Sequence, residues 1–141
     1  MLAQLHKVPG CKALTWDDVQ IASTIFAVKP GDGSAREQAA SCQRVLGAGA
    51  NIVTEYATKR YRSNLINWGM LPLQLVGATP FGLGDYVFIP NVREALKGDL
   101  QDIKAYVLGD SVKEFSLYMA PLTADERKIL ADGCLINFYK N

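Results

Sequence analysis

The chain has 141 residues, 49% of them hydrophobic and 21% charged, with a formal net charge of +1. That length accommodates one domain around one ordinary core, and the composition excludes a disordered tail. The near-zero charge argues against nucleic acid or a membrane surface as partner, since such binders usually carry a basic excess. In chain order, Val19–Val28 (VQIASTIFAV) is apolar and β-rich, is followed by Pro30 and Gly31, and reads as a buried strand. Ser34–Leu46 reads as a helix with Gly47 and Gly49 near its end. Asn51–Tyr56 (NIVTEY) is a short strand. Thr58–Gly69 is a helix with Tyr61, Leu65 and Trp68 at helical spacing and Gly69 as its stop. Met70–Val76 is a third strand, whose Pro72 suits a strand start or a bulge. Asp85–Pro90 is a fourth strand, and Asn91–Gly98 holds one or two helical turns. Asp102–Leu108 and Val112–Ala120 are two strands joined at Gly109–Ser111, a plausible hairpin turn. Thr123–Gly133 is a closing helix, with Thr123 as N-cap and Glu126 three residues on completing a capping box.

Strand and helix alternate in the first half, which implies right-handed crossovers and neighbouring parallel strands. In such sheets ligands meet the loops at the carboxyl ends of the strands. Lys29–Glu37 (KPGDGSARE) is such a loop. Gly31 and Gly33 let the backbone bend and let a ligand approach it. Ser34 reads as the N-cap, so that Ala35, Arg36 and Glu37 form the first turn and free N–H groups face the loop. That end of a helix suits an anion, and Arg36 adds a guanidinium fork matched to a carboxylate. The structural reading stands beside this: Ser34 and Glu37 form an S-x-x-E capping box, which by itself only starts a helix. The loop is neither a Walker A motif, lacking the G-K-[ST] ending, nor a dinucleotide fingerprint, lacking the third glycine.

The remaining chemistry-bearing residues are sparse. Cys11, Cys42 and Cys134 are odd in number and far apart, which disfavours a disulfide framework or a complete metal or iron–sulfur site. His6 has no partner histidine. Lys59, Arg60 and Arg62 read as a solvated helix face, and Trp16 and Trp68 as packing residues. The N-terminal decapeptide MLAQLHKVPG is interrupted too early for a signal peptide. No stretch reaches a membrane span, so the expected location is cytoplasmic.

Gly31–Ala40 (GDGSAREQAA) resembles the G-x-G-S-S-R-E-H-A-A signature of the aconitase family. Arg62–Leu75 (RSNLINWGMLPLQL) resembles that family's R-S-N-L-x-x-x-G-x-L-P-L stretch, in the same order and at nearly the same distance. Leu83–Asp99 is similar, more loosely, to its G-D-x-x-x-I segment, and Leu122–Asn141 to the C-terminal end of aconitase-like hydratases. The resemblance implies an α/β fold, a swivelling three-layer β/β/α domain with a mainly parallel central sheet, spanning residues 1–141. Such a domain is the mobile C-terminal part of aconitases and the separate small subunit of isopropylmalate isomerases. It closes over a [4Fe–4S] cluster held by cysteines of the other domains. The implied partners are therefore the cluster-bearing domains 1–3 of a parent hydratase, or a large subunit, and a small carboxylic-acid substrate. The implied reaction dehydrates and rehydrates hydroxy-di- or tricarboxylic acids. By resemblance Ser34 is the base that removes the proton next to a carboxylate, and Arg36 binds a substrate carboxylate and favours the serine alkoxide. Gly33 and Ala35, on either side of Ser34, are carried over as substrate-binding positions.

The chain departs from the pattern in several places. Ala35 replaces a second serine, Gln38 a histidine, and Lys29-Pro30 an Asn-aromatic pair. The family's upstream swivel segment and its cluster cysteines have no counterpart. The chain therefore reads as a domain of a longer hydratase that does not turn over substrate alone. The alternative readings are a carboxylate-binding module that has lost catalysis, and a structural module whose loop only caps a helix.

Overall fold

The computed structural model describes residues 1–140. A short N-terminal helix α1 (Leu2–Leu5) and a 3-10 turn (Trp16–Asp18) lead into strand β1 (Ser23–Ala27). Then follow α2 (Arg36–Val45), β2 (Ala48–Val53), α3 (Lys59–Asn67) and β3 (Leu71–Gln74). The second half contributes β4 (Tyr86–Phe88), α4 (Val92–Lys97), β5 (Ile103–Leu108), β6 (Val112–Leu117), α5 (Ala124–Asp132) and α6 (Leu135–Lys140).

The strands form two three-stranded sheets, β1-β2-β3 and β4-β5-β6. The first is parallel and the second antiparallel. The sheets are joined where Gln74 and Tyr118 exchange backbone hydrogen bonds of 2.7 and 3.0 Å. With the helices they make the mixed α/β arrangement expected of a three-layer domain, parallel pairing being confined to the first half. The β5–β6 hairpin turns at Gly109–Ser111, with Leu108 opposite Val112.

One core cluster joins the two sheets to the C-terminal helices: Ile52, Leu73, Ile103, Ala105, Leu117, Ile129 and Leu130 all lie in it. The alternation of β5 explains its second role. Ile103 and Ala105 enter this core, while Tyr106 and Leu108 point to the other face and hold Leu5, Val8 and Cys11 of the N-terminal segment. A third cluster, Ala40, Ala48, Tyr61, Leu65 and Met70, packs α2 and α3 on the parallel sheet.

Three features differ from the sequence expectation. The strand expected over Val19–Val28 is only Ser23–Ala27, and four of its five residues are exposed rather than buried. It lies at the end of the parallel sheet, and α2 packs on α3 and β2 instead of covering it. The second strand begins at Ala48, three residues before the expected Asn51, because parallel pairing with β1 recruits the weakly β-forming Ala-Gly-Ala segment. After the closing helix stops at Gly133 (φ 96°), the chain turns at once into the unforeseen helix α6.

Candidate active site

The carboxyl ends of β1 and β2 lie side by side, and their loops are stitched together. The amide of Glu55 donates to Val28 O (2.9 Å) and that of Ala57 to Pro30 O (3.0 Å). Lys29 and Glu55 add an exposed ion pair at 3.0 Å. Beyond this seam the β1–α2 loop turns at Gly31 (φ 96°), where Tyr61 leaves no room for a side chain. The Gly31 carbonyl accepts two hydrogen bonds, from Arg36 Nε at 3.2 Å and from Thr58 Oγ1 at 2.9 Å.

Tyr61 is itself locked. Its hydroxyl donates to Asn51 Oδ1 (3.0 Å), Asn51 Nδ2 donates to Gln43 Oε1 (2.8 Å), and Gln43 Nε2 donates back to the Tyr61 hydroxyl (2.9 Å). This closed ring ties α2, β2 and α3 together around Asn51, a fully buried amide. Every member donates one bond and accepts one, so the buried Asn51 and Tyr61 have polar partners, while Gln43 closes the ring from a half-buried position. Sequence reading missed the ring. Its members sit at positions 43, 51 and 61 on three elements, and no local spacing connects them.

The mouth of α2 corrects the sequence reading of Ser34. The N-cap is Ala35, with no side-chain capping bond, and the helix begins at Arg36. The Ser34–Glu37 capping box does not form. The helix starts one residue later than expected, with Ala35 at φ −89° and ψ 53° before it. The Ser34 hydroxyl is exposed and makes no hydrogen bond among the described residues. The first backbone bond of the turn runs from Ala39 N to Ala35 O, so the amides of Arg36, Glu37 and Gln38 precede it.

Ser34, Ala35, Arg36, Glu37, Gln38 and Ser41 line a shallow depression of about 460 Å³. The structure thus brings Ser34, Ala35 and Arg36 to one surface hollow; Gly33 is exposed just outside its lining. Arg36 commits Nε to Gly31, and neither Nη group has a partner among the described residues. Glu37 puts a carboxylate on the same rim, so the guanidinium and the helix N-terminus must outweigh it for an anion to settle.

A larger groove of about 800 Å³ runs along β1, away from that depression, lined by Phe26, Ile52, Phe81, Tyr86 and Phe88 among others. Phe26 and Phe81 meet edge-on there at 5.5 Å. Its walls are mainly apolar and offer little to a hydroxy acid.

Elsewhere, Arg62 is not the solvated residue expected of its helix face. Its Nη2 donates to Ala120 O and Pro121 O, both at 2.9 Å, pinning α3 to the chain after β6. Trp68 packs as expected, whereas Trp16 is exposed at the groove. No group of three His, Cys, Asp or Glu among the described residues could hold a metal ion. Cys11 is buried, Cys42 exposed and Cys134 half-buried, so this chain's own residues do not fit a [4Fe–4S] cradle. No described helix is long and apolar enough to cross a membrane.

Residues 11–77 match the family model of the aconitase C-terminal domain. No curated protein matches the chain.

Proposed function

From the match of residues 11–77 to the aconitase C-terminal domain family, we propose that this chain is the substrate-closing domain of an aconitase-like hydro-lyase acting on hydroxy-di- or tricarboxylic acids. The family implies a [4Fe–4S] cluster in the parent enzyme, and the cluster-bearing domains or subunit are the partners proposed here. What supports the assignment of roles is one observation: Ser34 and Arg36 line the same depression at the mouth of α2, with the serine hydroxyl and both Nη groups uncommitted.

In this reading Arg36 holds a substrate carboxylate through its Nη groups. Ser34 Oγ, as alkoxide, takes the proton from the carbon beside a carboxylate. A C–H bond breaks, an O–H bond forms, and the electron pair moves into the adjacent carboxylate. Serine is ordinarily too weak an acid for this. The guanidinium and the α2 amides stabilise its oxyanion, and more strongly once closure excludes water. The departure of the hydroxyl belongs to groups on the other domains.

The test is Ser34→Ala in the protein assembled with its cluster-bearing partner. Turnover is expected to fall by about 10²–10⁴, the usual worth of a positioned base. Since Ser34 caps nothing, stability should stay within about 0.5 kcal/mol of the parent. Unchanged turnover would remove Ser34 from the mechanism. Ala35, which lacks the hydroxyl of the family signature, favours a second reading, a carboxylate-binding module without catalysis. That reading predicts citrate binding that Arg36→Ala abolishes, with no turnover to lose.

A further inference from the structure

We propose that Thr58 is a positioning residue for Arg36, fixing the guanidinium so that only its Nη1–Nη2 end is offered to a substrate carboxylate. This rests on the reading of Arg36 as the carboxylate clamp. A guanidinium can grip a carboxylate along its side, through Nε and one Nη, or at its end, through both Nη groups. The side approach is taken, because Nε already donates to Gly31 O at 3.2 Å.

What keeps that carbonyl in place is Thr58. The amide of Tyr61 donates to Thr58 Oγ1 at 3.2 Å, which leaves the hydroxyl proton free to point at Gly31 O, 2.9 Å away. A carbonyl oxygen has two acceptor sites, and here Thr58 fills one and Arg36 the other. Movement of Gly31 toward α3 is closed, because a Cβ there would fall 2.5 Å from Tyr61 Cβ, and Tyr61 is 2% exposed and held by Asn51 and Gln43. The direction of the carbonyl is left to the hydrogen bond from Thr58. One hydroxyl at the N-cap of α3 therefore sets the bearing of a side chain on α2. The two residues are 22 positions apart in a chain where neither is a recognisable partner of the other.

Thr58→Gly tests this cleanly. Glycine is tolerated at an N-cap at little cost to the helix, yet it cannot donate to Gly31. Thr58→Ser keeps both bonds. The readouts are the solvent exchange of the Arg36 Nε–Hε proton by NMR and the citrate dissociation constant by calorimetry. In Thr58→Gly the Hε proton should lose protection, and citrate should bind about three- to tenfold more weakly, the size of one hydrogen bond. Thr58→Ser should match wild type in both. An unaltered Hε signal in Thr58→Gly, or a Thr58→Ser as damaged as Thr58→Gly, overturns the proposal. Should wild type bind no citrate while Thr58→Gly still frees the Hε proton, the carboxylate clamp falls and the positioning stands.

Discussion

Replacing Gly31 by alanine attacks the point where the candidate site is fastened to the fold. Two penalties apply. The backbone there has φ 96°, a left-handed conformation that costs an L residue about 1–2 kcal/mol. A Cβ would also come within 2.5 Å of Tyr61 Cβ and Cγ and 2.6 Å of Cδ1. These are not the loose tip of a side chain. Tyr61 is anchored by Asn51 and Gln43, so it cannot give way without breaking the ring. Overpacking of this kind costs about 1–3 kcal/mol, for a total of about 2–5 kcal/mol. With an m-value of about 2 kcal/mol/M, urea denaturation of Gly31→Ala should show a midpoint about 1–2.5 M lower. Gly33→Ala is the control. Its Cβ would have no heavy atom within 4 Å and its φ lies outside the left-handed region. It should stay within about 0.5 kcal/mol of wild type. If Gly31→Ala lowers the midpoint no more than Gly33→Ala, the loop is not pinned as described.

Asn51→Ala should cost about 1–3 kcal/mol, because it leaves the Tyr61 hydroxyl and Gln43 Oε1 without their buried partner. Tyr61→Phe should cost a similar amount, and the double variant should cost less than the sum, as urea melts in a double-mutant cycle will show. Tyr56, partly covered and donating to Leu73 O at 3.3 Å, has its phenol pushed above the ordinary value, by burial first and by Tyr61 second, against a smaller opposing pull from Arg62. The folded state therefore keeps the proton that the unfolded state gives up. That stabilisation is complete below about pH 10 and declines as pH rises past it. Between about pH 8 and about pH 10.5, Tyr56→Phe should lose less of its urea midpoint than wild type does; equal losses would show that Tyr56 is not the group responsible.

Two stretches with the same local signature show how far the sequence could be read. Thr123 and Glu126 form the capping box that their spacing implies, with bonds of 2.8 and 3.2 Å. Ser34 and Glu37 have the same spacing and form none. Thr123 is itself the N-cap, in extended conformation (φ −68°, ψ 165°), whereas Ser34 falls one residue before the N-cap Ala35 (φ −89°, ψ 53°), a backbone difference that the shared spacing does not encode. The β5–β6 hairpin and the alternation of strand and helix were legible because they depend on neighbours in the chain. Ser34, Ala35 and Arg36 share a hollow because they are close in sequence. Arg62 was misread because its acceptors, Ala120 and Pro121, are 58 and 59 residues away. The apolar run around β1 promised burial, but apolarity becomes burial only where layers exist to cover both faces.

The uncovered strand β1 has a practical side. Its outer row of amides and carbonyls lacks a pairing strand among the described residues, where β1 stands at the end of the order β1-β2-β3. Its five residues, Ser-Thr-Ile-Phe-Ala, include no charge to repel a neighbour and no proline to deny it a hydrogen bond. Such a ribbon tends to zip onto its like. Copies handled in isolation should grow sticky as they are concentrated, and a single lysine placed at Thr24 should keep them dispersed.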